Sequence, residues 1–258
     1  MLEDDLDTYN DKKKFNEAKY LNEYYKYVSP YEKNQIQGKF TKPRSSAQKK
    51  YMQILNDSMQ KIVIATGPAG SGKTLLATET GVKNFLEGKI EKLIFVRPAV
   101  TTDEEIGFIP GTLEDKLAPW MRPLYDVLYN FITPHEVSQL IEEKIIEISP
   151  LAYMRGRTFK NCWIVADEMQ NSSINQMKMM LTRIGEGTKL VITGDLEQND
   201  RHGEINGLED FLGRFKGRRS ESIASVEFDC GDIERSEVVK EILDIYKAPE
   251  IPFGYTDE

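Results

Sequence analysis

Gly67, Pro68, Ala69, Gly70, Ser71, Gly72, Lys73 and Thr74 follow one another as G-x-x-x-x-G-K-T, and those residue types at that spacing hold phosphate. Glycines let the backbone turn tightly enough to aim successive N–H groups at one anion, and a helix starting at the end of the loop adds the favourable end of its dipole. Lys73 is expected to face the β- and γ-phosphates of a nucleoside triphosphate, exposed until the ligand arrives, and the Thr74 hydroxyl to ligate Mg²⁺. A plain glycine-rich turn would have no use for Lys-Thr directly after Gly72. ATP with Mg²⁺ is therefore the expected ligand.

A triphosphate site becomes a hydrolase when a carboxylate can take a proton from water. Trp163-Ile164-Val165-Ala166 is an apolar run that ends in Asp167-Glu168. Asp167 is expected to hold Mg²⁺ through water and Glu168 to polarise the attacking water, a pairing that marks hydrolases more than phosphotransferases. Leu190-Val191-Ile192-Thr193-Gly194-Asp195, followed by Gln198, is another strand ending in small polar groups. Gln198 would orient the water or sense the γ-phosphate; a plain β-turn is the alternative. An arginine on the outer γ-oxygens adds roughly 10³ to 10⁵ in rate. Arg235 is the candidate, since a helix N-terminus otherwise suits a cation poorly. Gln48 has two readings: capping partner of Ser45 in an S-x-x-Q box, or reader of the adenine edge.

These residues need a scaffold that brings distant segments together. Ile62, Val63 and Ile64 supply the buried strand that must precede the loop, and the spacing predicts further strands at Lys92 to Val96, Cys162 to Ala166, Lys189 to Thr193 and Ala224 to Phe228, with a short one at Ile145 to Ile148. Helices are expected after the Ser45 capping box, over Leu75 to Leu86, over Leu113 to Phe131 with bends at Pro119 and Pro123, over Ser173 to Ile184, near Ile205 to Phe215, and over Ser236 to Tyr246. Met177, Met179 and Met180 read as core filler. Alternation of strand and helix about five times argues for an α/β fold: a parallel sheet with helices on both faces and one active site at the strands' carboxyl ends.

The 258 residues carry a formal charge of −8, so bulk electrostatics does not favour nucleic acid and any such binding must come from a local patch. Arg155 and Arg157 form one basic cluster; Arg214, Lys216, Arg218 and Arg219 form another. They would track a phosphate backbone if they shared a channel, and would be separate solvated loops otherwise. Cys162 and Cys230 match no metal spacing and fall in expected strands, which points to two buried thiols in a reducing compartment. No apolar run is long enough to span a bilayer and the N-terminus is acidic, so a cytoplasmic location is expected. Residues 1–44, with six tyrosines and few aliphatic residues, read as an extension; 45–250 as the ATPase domain; 251–258 as a tail.

The order GPAGSGKT, IFVRPAV, GFIPGTLEDKLAPWMRPLYD, YMRGRTF, DEMQN and TGDLEQND resembles the PhoH-like ATPases over about Ser45 to Lys247. The resemblance implies a RecA-like P-loop NTPase core similar to the first domain of superfamily 1 helicases, in proteins associated with phosphate starvation and frequently carried by phages, with RNA the usual suspected substrate. It places Gln48 on the adenine side, Arg97 at a strand end near nucleic acid, and Arg235 before the last helix. The family has Ala where this chain has Met169, and Arg-His-Pro where this chain has Arg235-Ser236-Glu237. A single RecA-like core lacks a second domain to reach over the γ-phosphate, so a homo-oligomeric ring, a hexamer first among them, is expected to supply Arg235 from a neighbour. The competing functions are a small-molecule or nucleoside kinase and a nucleotide-switched binding module.

Overall fold

The computed structural model describes residues 39–98, 122–198 and 206–233, with residue 238. Residues 1–38 of the extension, the Gly107 to Gly111 segment with Pro119, and Arg235 with the expected last helix apart from residue 238 lie outside them.

In chain order the elements are α1 (Ser46–Asn56), β1 (Ile62–Thr66), α2 (Lys73–Leu86), β2 (Lys92–Arg97), α3 (122–129), α4 (Pro134–Glu142), β3 (Ile146–Pro150), β4 (Cys162–Ala166), α5 (Ile174–Leu181), β5 (Lys189–Gly194), α6 (Gly207–Phe215) and β6 (Ile223–Glu227). All six strands are parallel, as the alternation of strand and helix predicts, and they run in the order β3-β2-β4-β5-β1-β6. The strand ending in Asp167-Glu168 is thus separated from the loop strand by β5. That spacing opens room at the carboxyl ends between the phosphate loop and the carboxylates.

The alternation of side chains along each strand divides the core in two. Val63, Phe95, Val165 and Val191 face Tyr51, Leu76, Phe85 and Leu128 of the first helices, while Ile64, Ile94, Ile164 and Ile192 face Met177, Met180 and Leu208 of α5 and α6. With both faces covered, the four central strands read as largely continuous apolar runs, while the edge strands β3 and β6 are only partly buried. Met179 is only half-buried, unlike its two neighbouring methionines.

The caps are those the residue types dictate: Ser45 and Gln48 form the expected capping box, and Ser173 with Gln176 forms another. Helix α4 was not foreseen, although Thr133-Pro134-x-Glu136 carries both a capping box and proline in the first turn. Helix α5 ends at Leu181, short of the expected Ile184. Cys162 is buried in β4, and burial pushes its thiol up to about 11. Cys230 corrects the expectation of two buried thiols: it is exposed in a 3-10 turn, Cys230–Asp232, because Asp229 and Asp232 cap that turn and end β6 at Glu227.

Candidate nucleotide-hydrolysis site

The phosphate loop joins β1 to α2 between two tight passages. Gly72, the N-cap of α2, has φ 86°, a left-handed conformation that glycine adopts without steric penalty. Gly67 runs beneath the end of β6, where an added Cβ would lie 2.2 Å from the Phe228 carbonyl oxygen. Helix α2 begins at Lys73, two residues earlier than the sequence spacing suggests, so Lys73 and Thr74 occupy its first turn. Gly81, in mid-helix, lets α2 settle on β4: a Cβ there would meet Trp163 at 2.5 Å, and the Trp163 indole donates to the Ala77 carbonyl at 3.1 Å. A helical glycine costs roughly 1 kcal/mol relative to alanine.

Lys73 departs from expectation. Its ammonium is buried, donating to the carbonyl oxygens of Gly67 at 2.6 Å and Pro68 at 2.8 Å and to Ser71 Oγ at 3.2 Å. Unpaired inward carbonyls are costly, and the nearest cation closes the loop on itself. Burial pushes the Lys73 pKa below its ordinary value, against the pull of Asp195, Glu168 and Asp167.

Thr74 and Asp167 come together as the sequence suggests: the Thr74 hydroxyl donates to Asp167 Oδ1 at 2.7 Å, and Thr193 at the end of β5 donates to the same oxygen at 2.5 Å. Hydroxyl and carboxylate oxygens are the hard donors Mg²⁺ takes. Among the described residues no group of three or more carboxylate, imidazole or thiol ligands could hold a metal alone. The donor set therefore fits an ion that draws most of its ligands from nucleotide phosphates and water.

Glu168 sits in the left-handed region at φ 53°, ψ 38°, a conformation costing a non-glycine residue roughly 1–2 kcal/mol. Its Oε1 lies 3.5 Å from Arg97 Nη2 at the end of β2, and its Oε2 accepts from Gln170 Nε2 at 2.5 Å. Gln170 is the residue that sequence reading missed. It is buried, its Nε2 also donates to the Gln198 carbonyl at 3.3 Å, and its Oε1 accepts from the Asp195 N–H at 3.1 Å. One amide thus ties Glu168 to the loop after β5. Gly194 leaves room for it, since a Cβ there would stand 2.9 Å from Gln170 Oε1.

Lys73, Thr74, Asp167, Glu168, Asp195 and Gln198 converge on one cavity of about 340 Å³ that also touches Ala69, Gly70 and Gly72. A mainly apolar cavity of about 500 Å³ adjoins it, sharing Thr74, Asp167 and Glu168 and reaching Arg97. Gln48 forms the capping contacts, its Oε1 accepting from the N–H groups of Arg44 at 2.8 Å and Ser45 at 3.3 Å, while Nε2 donates to the Ser71 carbonyl at 3.2 Å. The amide therefore also fastens the phosphate loop to α1.

The two basic clusters do not share a channel. Arg155 and Arg157 follow β3, at one edge of the sheet, whereas Arg218 and Arg219 precede β6, at the other. Six strands at roughly 4.8 Å separate the edges by about 24 Å. Arg157 is also committed elsewhere: both its terminal nitrogens pair with the Glu147 carboxylate, and its guanidinium lies 4.6 Å above the Phe159 ring. Hydrogen bonding from Arg157 holds the Glu147 carboxyl below its ordinary value. Arg157 is thus corrected from a free phosphate contact to a paired one.

Residues 40–247 match the family described as PhoH-like protein. A PhoH-like protein of Mycobacterium bovis is 40% identical over 223 residues, covering 83% of this chain and 60% of the relative. A PhoH-like protein of Bacillus subtilis is 40% identical over 210 residues, covering 81% and 65%, and Protein PhoH of Escherichia coli K12 is 36% identical over 206 residues, covering 79% and 57%. The chain spans about three-fifths of the length of these relatives. Among solved structures, the Pyrococcus furiosus Hef helicase domain has a TM-score of 0.40 at 15% identity over 74% of this chain and 39% of its own. Pif1 helicase from Candida albicans has a TM-score of 0.39 at 16% identity over 80% and 43%.

Proposed function

The chain belongs to the PhoH-like protein family, and on that premise we propose that it hydrolyses ATP with Mg²⁺ and couples turnover to single-stranded nucleic acid, RNA foremost. The observation that carries this reading is the convergence of loop lysine, loop threonine, Asp167, Glu168 and Gln198 on one cavity at the strands' carboxyl ends. Thr74 and Asp167 would hold Mg²⁺, and that ion would supply positive charge against the charge developing on the transferred group. The chain's own residues do the rest. Incoming phosphates take Lys73 from the Gly67 and Pro68 carbonyls, so that binding opens the loop. Gln170 and Arg97 hold the Glu168 carboxylate from two sides, where it accepts a proton from water. Gln198, on the loop that Gln170 secures, orients that water.

The same proposal takes 45–250 as the catalytic domain in a cytoplasmic setting, Gln48 on the adenine side, and Arg235 reaching the γ-phosphate from the next subunit of a ring. No helix among the described residues is long and apolar enough to cross a membrane. The test is ATP hydrolysis with and without single-stranded RNA. Turnover that rises with RNA is expected. Phosphate transfer only to a small acceptor would make the protein a kinase, tight ATP binding without turnover a switch, and turnover indifferent to RNA would remove the coupling.

A further inference from the structure

We infer that single-stranded nucleic acid lies in the groove along α5, with Arg155, Lys178 and Arg183 on its phosphates and Tyr153 under a base; this rests on the nucleic-acid half of the proposed function.

Asn175, Lys178, Met179 and Thr182 recur at helical spacing and present one face of α5, beside which Arg155, Gly156 and Arg183 complete an open groove of about 440 Å³. Three of the seven lining residues are cations and none is acidic, in a chain whose net charge is −8. Among the described residues no carboxylate pairs with them. Arg183 is fixed by neutral acceptors only, donating to the carbonyl oxygens of Met179 at 3.1 Å and Arg157 at 3.2 Å and to Thr182 Oγ1 at 3.1 Å. Arg155 and Lys178 enter no ion pair among the described residues, whereas Arg157 close by is neutralised by Glu147. The other basic cluster differs: Arg214 is paired to Asp210, and Glu221 stands beside Arg218 and Arg219 in their surface hollow.

Shape and apolar content agree with a single strand. Gly156 faces open space, since a Cβ there would meet no atom within 4 Å. Tyr153, 57% exposed, and Ile174, 40% exposed, stand in the segments that frame the groove, and cations interleaved with an exposed ring hold unpaired bases without reading them. Position also matters for coupling. Helix α5 opens directly after the short turn that follows Glu168, so a strand lying on it bears on the element behind the catalytic carboxylate.

The experiment is fluorescence anisotropy of a labelled 12-nucleotide oligouridylate across a salt series. Arg155→Ala with Lys178→Ala should lower the slope of log affinity against log salt by about 1.4, at roughly 0.7 per phosphate contact in a single strand. Lys178→Arg should keep the wild-type slope. Tyr153→Ala should weaken binding roughly 5- to 150-fold without changing the slope, as loss of one stacked base does. A slope unchanged by the double substitution, or one lowered instead by Arg218→Ala with Arg219→Ala, overturns the assignment while leaving nucleic-acid binding intact. Wild-type protein that binds no oligouridylate at 50 mM salt would overturn the assignment and the nucleic-acid half of the proposed function together.

Discussion

Lys73, buried, and Lys189, half-buried, both rest their ammonium groups on backbone carbonyl oxygens, at opposite ends of the same sheet. Lys73 donates to Gly67 and Pro68, Lys189 to Leu55 at 2.6 Å and Asp57 at 2.7 Å, and burial lowers both pKa values. The owners of the carbonyls make the difference. Those around Lys189 end α1, where a cation satisfies groups the helix leaves open, and the Trp163 ring lies 5.5 Å from the ammonium. Those around Lys73 belong to a glycine loop, with the carboxylates of Asp195, Glu168 and Asp167 nearby. One lysine completes a helix terminus, while the other closes a loop on itself.

The largest effect that tests this contrast comes from the carboxyl end. Glu168→Gln keeps the shape but cannot take a proton, so steady-state turnover should fall roughly 10²- to 10⁴-fold while ATP still binds. Hydrolysis within tenfold of wild type would remove the general base. Gln170→Ala should come next, lowering kcat about tenfold with KM for ATP nearly unchanged, because the amide positions Glu168 and the loop after β5 without touching phosphate. A rise in KM alone would make Gln170 a binding residue instead.

At the other end the effects should appear in stability. Arg157→Ala, which leaves half-buried Glu147 without its partner, should cost about 1–3 kcal/mol in urea unfolding and leave ATP turnover near wild type. Lost turnover without lost stability would reverse the assignment. A further effect concerns pH. The folded-state pKa of Lys189, lowered to about 8, lies below its ordinary 10.5, so across that window the unfolded chain holds a proton that the folded chain has released. Stability should therefore rise with pH between about 8 and 10.5, and the Lys189→Met variant should lose that rise. Parallel pH profiles for the two proteins would show that Lys189 keeps its proton.

The phosphate loop and Asp167-Glu168 are legible in the sequence because each sits at the end of a buried strand, where local pattern and chemistry coincide. Gln170 was not, since its importance depends on the left-handed backbone at Glu168 and on the loop after β5, which no local pattern joins. Lys178 and Arg183 were hidden in a helix whose methionines suggested core, although Met177 and Met180 alone mark its buried side. Arg157 was overestimated because charge spacing cannot reveal a carboxylate on β3. Cys230 is harder to place from sequence because the strand-like alternation over 223–228 runs up to it, while the Asp229 and Asp232 caps close a turn there.

Gly67 beneath Phe228 gives the phosphate loop a direction of travel. Phe228 is anchored there by its N–H, which donates to the Thr66 carbonyl at 2.7 Å, so the end of the edge strand acts as a wall against the first turn of the loop. The first turn of the loop therefore has no room to move towards β6. The same contact works in reverse: a shift of the end of β6 towards β1 would press on Gly67, so the rim of the sheet and the start of the loop can only move together.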